Sequence, residues 1–126
     1  MVGMWVLEDF TVECGGVTSH PLGERPGGML LYTAGGWMSA LLTTGPARNV
    51  SASEVPEAPD GTVAYAGRWE RAADGAVFHH VMFSHYAPWL GTTLERCVRF
   101  TPEGLELMAV SSGDYKAVLR WRRPVT

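Results

Sequence analysis

Two neighbouring histidines are the first residues of this sequence suited to chemistry. Histidine is the side chain whose unperturbed pKa places its charge change near neutral pH, and His79 and His80 are adjacent. On a strand they point to opposite sides, so one of them faces any cavity that the strand lines. That imidazole could act as a general acid or base. The alternative is a histidine that its neighbours hold for structural reasons.

The spacing of the other candidate ligands argues against a metal site. His79 and His85 share one strand face, but an ideal strand separates them by about 20 Å, too far to chelate one ion. Cys14 and Cys97 match no Cys-x-x-Cys spacing, and we interpret both as reduced packing residues. No Ser-His-Asp order or phosphate-binding glycine loop appears. The sequence therefore predicts neither a metal nor a cofactor.

Arg96 is the next candidate for chemistry. It has the strand parity of its apolar neighbour Leu94, so alternation places it on an inward-facing apolar side. A permanent cation in that position could hold a carboxylate or stabilise an enolate oxygen. The alternative is a structural arginine, which pairs with Asp9 or Glu95 or packs over Trp5 at the closed end of a barrel.

Five aromatic residues and a methionine form the predicted ligand-contacting surface. Aromatic side chains offer a large contact area with little conformational entropy to lose, so they suit flat or polyene-like ligands. The alternative is that they fill the interior, as side chains do in small closed barrels. The predicted lining consists of Tyr32, Met38, Tyr65, Trp69, Phe83 and Tyr115.

The elements that position these residues are predicted to be strands. Turn signals recur at short intervals, and the segments between them are rich in Val, Thr, Tyr, Trp and Phe. Antiparallel strands joined by tight turns form a sandwich or a closed barrel, and closure removes both sheet edges. We predict an all-β, eight-stranded antiparallel up-and-down barrel in a single domain, residues 1–126. Its strands span roughly 3–13, 28–34, 37–44, 62–72, 76–86, 92–101, 104–111 and 115–123.

One long connection, 45–61, interrupts the pattern of tight turns. It contains three prolines and a weak capping-box pattern that begins at Ser51. A connection of this length is either a short helical or loop lid over the mouth of the barrel or an excursion away from it.

Several predicted strands are apolar on both faces, notably 28–34, 37–44 and 76–86. A barrel wall has only two sides, so the outer apolar side chains need a second apolar surface to cover them. We therefore predict a homodimer that pairs the outer faces of 28–44 and 76–86. The alternative is that the 45–61 connection covers these faces.

Composition and charge exclude several classes of partner. The formal net charge of −3 provides no broad basic field for a phosphate backbone, so nucleic-acid binding is not expected. No apolar run approaches the roughly 20 residues of a membrane span, and the N-terminus lacks the pattern of a signal peptide. The sequence predicts a cytoplasmic protein that binds neither nucleic acid nor a membrane.

An ordered set of short motifs runs along nearly the whole chain. It consists of Gly3-x-Trp5, Pro21-x-Gly23-x-x-Pro26-x-Gly28, Leu31-Tyr32-Thr33-Ala34-Gly35-Gly36-Trp37-Met38-Ser39, Tyr65-Ala66-Gly67-Arg68-Trp69, His79-His80-Val81, Pro88-Trp89-x-Gly91-Thr92 and Arg96. The set resembles the bacterial and fungal lipocalin-like domain family. Two positions depart from the family pattern, because Met82 replaces an acidic or polar residue and Trp37 replaces a smaller aromatic one.

The resemblance implies a calycin-type barrel with a central cavity for a small hydrophobic molecule. Some relatives accompany natural-product pathways, in which lipocalin-like barrels serve as cyclases or isomerases. We therefore expect a barrel that binds a small hydrophobic metabolite, and the sharper form of this hypothesis is a cofactor-free cyclase or isomerase that shapes a polyketide-like chain. In it, His79 or His80 moves a proton, and Arg96 or a tyrosine hydroxyl stabilises an oxyanion. The alternatives are a non-catalytic small-molecule binding or carrier protein and a structural dimer with a filled interior.

Overall fold

The structure is a computed structural model that describes residues 1–44, 61–110 and 115–124. These residues form strands and one short 3-10 helix. In chain order, the elements are β1 (Gly3–Cys14), β2 (Val17–Ser19), β3 (Gly27–Tyr32), β4 (Trp37–Thr43), β5 (Thr62–Arg71), β6 (Val77–Ser84), the 3-10 helix (Ala87–Trp89), β7 (Thr93–Phe100), β8 (Gly104–Val110) and β9 (Lys116–Arg122).

Eight of these strands close into an antiparallel barrel. From β3 to β9 each strand pairs with the next one in the chain, and β1 pairs with both β3 and β9. The β1–β9 pairing sets Val6 opposite Arg122 and closes the ring. The predicted all-β up-and-down barrel is confirmed. The sequence analysis did not predict β2, a short strand that pairs with the far end of β1.

Alternation of side chains separates the interior of the barrel from its exterior. Along β4, Met38, Ala40 and Leu42 are buried while the residues between them are exposed. Ala117 and Trp121 on β9 are likewise buried. The buried apolar side chains join in one hydrophobic core. Alternation of apolar and polar residues therefore indicated the inward face of β9 correctly, whereas β4 is apolar on both faces and its inward face follows only from the structure.

A β-bulge between β5 and β6 changes which face the end of β6 presents. Ala66 pairs with Phe83 and Gly67 pairs with Val81, so Met82 is an extra residue on β6. One extra residue reverses the alternation beyond it. Phe83 consequently lies on the outer face with 65% of its surface exposed, and the prediction that it lines the interior is wrong.

Arg123 covers one end of the barrel, which we call the closed end. Its guanidinium carbon lies 3.7 Å from the centroid of the Trp5 ring. The same group donates hydrogen bonds to the carbonyl oxygens of Val2 and Met4. Arg123, rather than Arg96, is thus the arginine that packs on Trp5.

The opposite end of the barrel, which we call the open end, receives the turn between β1 and β2 and the 3-10 helix. Thr43 on β4 pairs with Thr62 on β5 at this end. The predicted lid over 45–61 lies outside the described residues except for Gly61. Among the helices of the described segments, none has the length and apolar character needed to cross a membrane.

Candidate functional site

A cavity of about 250 Å³ lies inside the barrel between its middle and the open end. Small-molecule sites commonly measure about 300 to 1,000 Å³, and this cavity is slightly smaller than that range, so it suits only a compact ligand. Most of its wall is apolar. The larger aliphatic and phenyl side chains of the wall belong to Phe10, Leu42, Val63, Leu94, Leu107 and Leu119. The polar groups lie among these apolar side chains.

His79 lies at the cavity between two tyrosines. Its Nε2 atom lies 2.6 Å from the hydroxyl oxygen of Tyr32, and its Nδ1 atom lies 2.7 Å from that of Tyr65. The three side chains come from β6, β3 and β5, and all of them are buried. A neutral imidazole carries one proton, so one tyrosine donates to His79 and the other accepts from it. We call these three residues the tyrosine–histidine chain.

Burial keeps the tyrosine–histidine chain neutral. Desolvation, followed by the positive charge of Arg96 and by His80, lowers the pKa of His79 to about 3. Desolvation also raises the pKa of Tyr32 and of Tyr65, although the charge of Arg96 opposes this shift. An imidazole that is neutral and has both nitrogens occupied is a poor general base near neutral pH.

The chemistry that remains available in the tyrosine–histidine chain is hydrogen-bond donation. A tyrosine that accepts a hydrogen bond from His79 keeps its own O–H free to donate elsewhere. Tyr65 lines the cavity, whereas Tyr32 lies in the core without lining it. Within the tyrosine–histidine chain, the hydroxyl of Tyr65 is therefore the one that is placed to form a hydrogen bond with a ligand.

Arg96 lies on the cavity wall, as its strand parity predicted. Its Nη1 atom donates to the backbone carbonyl of Glu95 at 3.0 Å. Asp9 instead lies beside His20, with 3.8 Å between the nearest nitrogen and oxygen. Across the ranges that the structure describes, no carboxylate forms an ion pair with Arg96, so its charge is available to a ligand.

Trp121 lines the same cavity and carries a buried donor. Only 3% of its surface is exposed, and within the described part of the chain its indole N–H has no hydrogen-bond partner. Buried polar groups without a partner are uncommon and call for an explanation. The described lining of the cavity contains no Asp or Glu. Its polar character is therefore dominated by donors.

The predicted aromatic lining divides between the cavity and the core. Tyr65 and Tyr115 line the cavity, as predicted. Met38 and Tyr32 are buried in the core instead. The ring of Trp69 packs 4.7 Å from that of Tyr32, and its Nε1 donates to a backbone carbonyl. The alternative, in which aromatic residues fill the barrel, thus holds for part of the set.

The structure decides between the two adjacent histidines. His80 lies on the outer surface, where its Nε2 is 2.7 Å from a carboxylate oxygen of Glu70 and its Nδ1 is 2.9 Å from the hydroxyl of Thr93. His79 on the same strand faces inward. His80 therefore cannot act on a molecule inside the barrel from this position, and Phe83, which also lies outside, cannot contact one.

Sequence reasoning missed the contribution of Trp89 to the cavity wall. This residue lies on the 3-10 helix after β6, and its ring meets that of Tyr65 edge to face at 5.6 Å. Strand periodicity carries no information about a loop residue that folds back over the open end. Its place in a motif of the resemblance was the only available signal.

Neither cysteine is a packing residue. Cys14 and Cys97 are free thiols, but both are exposed, which corrects the prediction that they pack in the interior. Among the described residues, no three His, Cys, Asp or Glu side chains are grouped so as to hold a metal ion. The predicted cytoplasmic location stays a prediction.

The fold is a β-barrel of the calycin type with an internal cavity. The model of the lipocalin-like domain family matches residues 2–124. The chain therefore belongs to the lipocalin-like domain family, as the motif resemblance predicted. A search of curated proteins found no significant match.

Proposed function

We propose that this protein binds a small, largely apolar metabolite inside its barrel. The observation that carries the proposal is the cavity of about 250 Å³, in which apolar walls surround Tyr65, His79 and Arg96. A hydrophobic pocket with a few convergent polar groups is the usual arrangement of a small-molecule site. Apolar burial provides the affinity, and the polar groups orient the molecule.

A variant that fills the cavity tests the binding proposal. Ala109 lines the cavity, so Ala109→Phe places a phenyl ring inside it. We expect wild-type protein to bind 2-naphthalenemethanol with a change in tryptophan fluorescence and the variant to lose this binding. Ala73→Phe, in an exposed turn at the closed end, is the matched control. Equal binding by wild type and Ala109→Phe would place the ligand elsewhere and reject the proposal.

The catalytic form of this proposal is a cofactor-free cyclase or isomerase that acts on a polyketide-like chain. A cavity that holds a reactive chain in one conformation accelerates an intramolecular reaction by itself. Tyr65 and Arg96 would stabilise an oxyanion as it develops. The imidazole of His79 is neutral and hydrogen-bonded at both nitrogens, which favours templating and oxyanion stabilisation over proton transfer by this ring.

Turnover of a synthetic polyketone separates this enzyme from a carrier. If the protein is a cyclase, it accelerates cyclisation, and Tyr65→Phe or Arg96→Gln slows the catalysed reaction by roughly 10²-fold or more. His80→Gln is the control, since that imidazole lies on the outer surface. A carrier would bind the polyketone without accelerating its cyclisation, and that result would reject the catalytic form alone.

We also propose that the barrel forms a homodimer through the outer face of β3 to β6. Met29 pairs with Leu41 across β3 and β4, and both are exposed. Phe83 continues the apolar surface on β6. Extended apolar surfaces of this kind mark association sites. We expect light scattering to show a dimer that Leu41→Glu dissociates and Val17→Glu does not, and a monomeric wild type would refute the proposal.

A further inference from the structure

We infer that the ligand of this cavity is a small apolar carboxylic acid, bound as its carboxylate near Arg96 and Trp121. The inference rests on the proposed binding function and adds the chemical class of the ligand. It combines a cation that has no anionic partner among the described residues, an independent buried donor and a wall without described acidic residues.

Arg96 supplies the charge that such a ligand needs. A guanidinium has five N–H donors, and within the described segments those of Arg96 make one hydrogen bond, to the carbonyl of Glu95. A half-buried cation without an anionic partner is costly, and a ligand carboxylate would offset that cost. A guanidinium also matches the two oxygens of a carboxylate in geometry.

Trp121 points to an acceptor for a separate reason. Trp121 lines the cavity, and its indole N–H is buried and has no acceptor among the described residues. Leaving a buried donor without a partner destabilises the ligand-free protein, and a ligand oxygen would remove that penalty. The indole can only donate, so a ligand that is itself only a donor cannot satisfy it.

Other ligand charges fit this cavity less well. The positive charge of Arg96 would repel a cationic amine, and the described lining contains no carboxylate to pair with it. Among the described residues, a hydrocarbon would leave Arg96 without an anionic partner and the indole N–H of Trp121 without an acceptor. Tyr65 also favours an anion, because burial raises the pKa of its hydroxyl and keeps it a neutral donor.

The distribution of polar and apolar groups sets the orientation of the acid. Arg96, Tyr65 and Trp121 come from three different strands but border the same cavity. Trp89, from the 3-10 helix at the open end, forms part of the remaining wall. The carboxylate would therefore lie toward the middle of the barrel and the apolar body toward Trp89.

Two probes that share one ring system test the inference. The carboxylate probe is 2-naphthoate and the neutral probe is 2-naphthalenemethanol, both titrated calorimetrically against the full chain near neutral pH. We expect wild type to bind the carboxylate about tenfold or more tightly than the alcohol. Arg96→Gln should abolish this preference, and Arg96→Lys should retain part of it. Arg99→Gln, on the outer side of the same strand, should leave it intact.

A second variant keeps the test decisive if Arg96→Gln fails to fold. Trp121→Phe retains most of the apolar surface and removes the N–H, so it should weaken 2-naphthoate binding by about three- to tenfold. Trp37→Phe, at an exposed position, is its control. Unchanged 2-naphthoate affinity in Trp121→Phe would overturn the role of that donor.

The outcomes separate the inference from the function on which it rests. Equal affinity of wild type for both probes, or a preference that survives Arg96→Gln, would overturn the carboxylate inference and leave the binding function standing. If wild type binds neither probe, the proposed binding function fails and the inference fails with it.

Discussion

His79 should make the stability of the barrel depend strongly on pH in mild acid. The folded state lowers the pKa of this imidazole from 6.5 to about 3, mainly through desolvation. Between those values the unfolded chain binds a proton that the folded chain excludes. The contribution of His79 to stability is therefore complete above about pH 6.5 and is lost progressively as the pH falls toward 3.

The size of this effect follows from the width of the pH interval. A difference of one bound proton changes the free energy of unfolding by about 1.4 kcal/mol per pH unit. Over the whole interval the loss reaches about 4 to 5 kcal/mol, a large part of the stability of a small domain. Lowering the pH by two units from 6.5 should already cost about 2 to 3 kcal/mol.

Urea unfolding followed by tryptophan fluorescence at a series of pH values measures this dependence. The matched variant is His79→Gln, because a neutral amide offers Tyr32 and Tyr65 one donor and one acceptor without titrating. Below pH 6.5, we expect the free energy of unfolding of the variant to depend less steeply on pH than that of wild type, by the slope that one bound proton contributes. His20→Gln, which removes an exposed imidazole, controls for the loss of a histidine in general.

Equal slopes in wild type and His79→Gln would refute this reasoning. Nitrogen NMR of the imidazole gives a second readout that needs no variant. A His79 ring already protonated near pH 6 would show that burial does not hold it neutral.

Two further variants test the packing of the barrel by urea unfolding. Gly67→Ala should destabilise the barrel by about 3 kcal/mol, since a Cβ would collide with the backbone of β6. Gly35→Ala is its control, because a Cβ there meets no close atom. Equal stability of the two variants would contradict the bulge geometry. Arg123→Gln should cost about 1 to 2 kcal/mol by removing the contact with Trp5 and two backbone hydrogen bonds. Arg122→Gln is its control, and equal losses would remove the special role of the closed end.

The sequence predicted the barrel because most of its strands carry one apolar and one polar face. Alternation in the segments 62–72 and 115–123 is clear, and the structure places Tyr65 and Trp121 inside as expected. The alternation of side chains also placed Arg96 correctly, on the inward-facing side of β7. Alternation predicts which side of the barrel wall a residue occupies, but not what it contacts there. The structure was therefore needed to show that Arg123, and not Arg96, packs on Trp5.

The segment 76–86 shows where sequence reasoning reached its limit. Both of its faces are apolar, so parity alone could not choose between His79 and His80. The register with β5 decides the matter, since His79 pairs with inward-facing Trp69. The bulge beside Gly67 then shifts Phe83 to the outside, and one unpaired residue of this kind leaves no trace in hydrophobic periodicity.

The tyrosine–histidine chain was likewise beyond the reach of the sequence. Tyr32 and Tyr65 were both predicted to face inward, but they precede His79 by 47 and 14 residues. Only the pairing of β3 through β6 brings the three side chains together. The sequence could not predict that the indole N–H of Trp121 has no acceptor among the described residues either, because this depends on which side chains fail to reach it.

The closure between β1 and β9 has a consequence for how the chain folds. Arg123 bonds to the carbonyl of Met4, a residue 119 positions earlier. Contacts between such distant positions slow folding, because a long loop must be ordered before they stabilise anything. During synthesis the ring cannot close before β9 emerges, and until then β1 and β8 expose unpaired edges to other chains. Substitutions that weaken β9 should thus lower the yield of folded protein more than its final stability suggests.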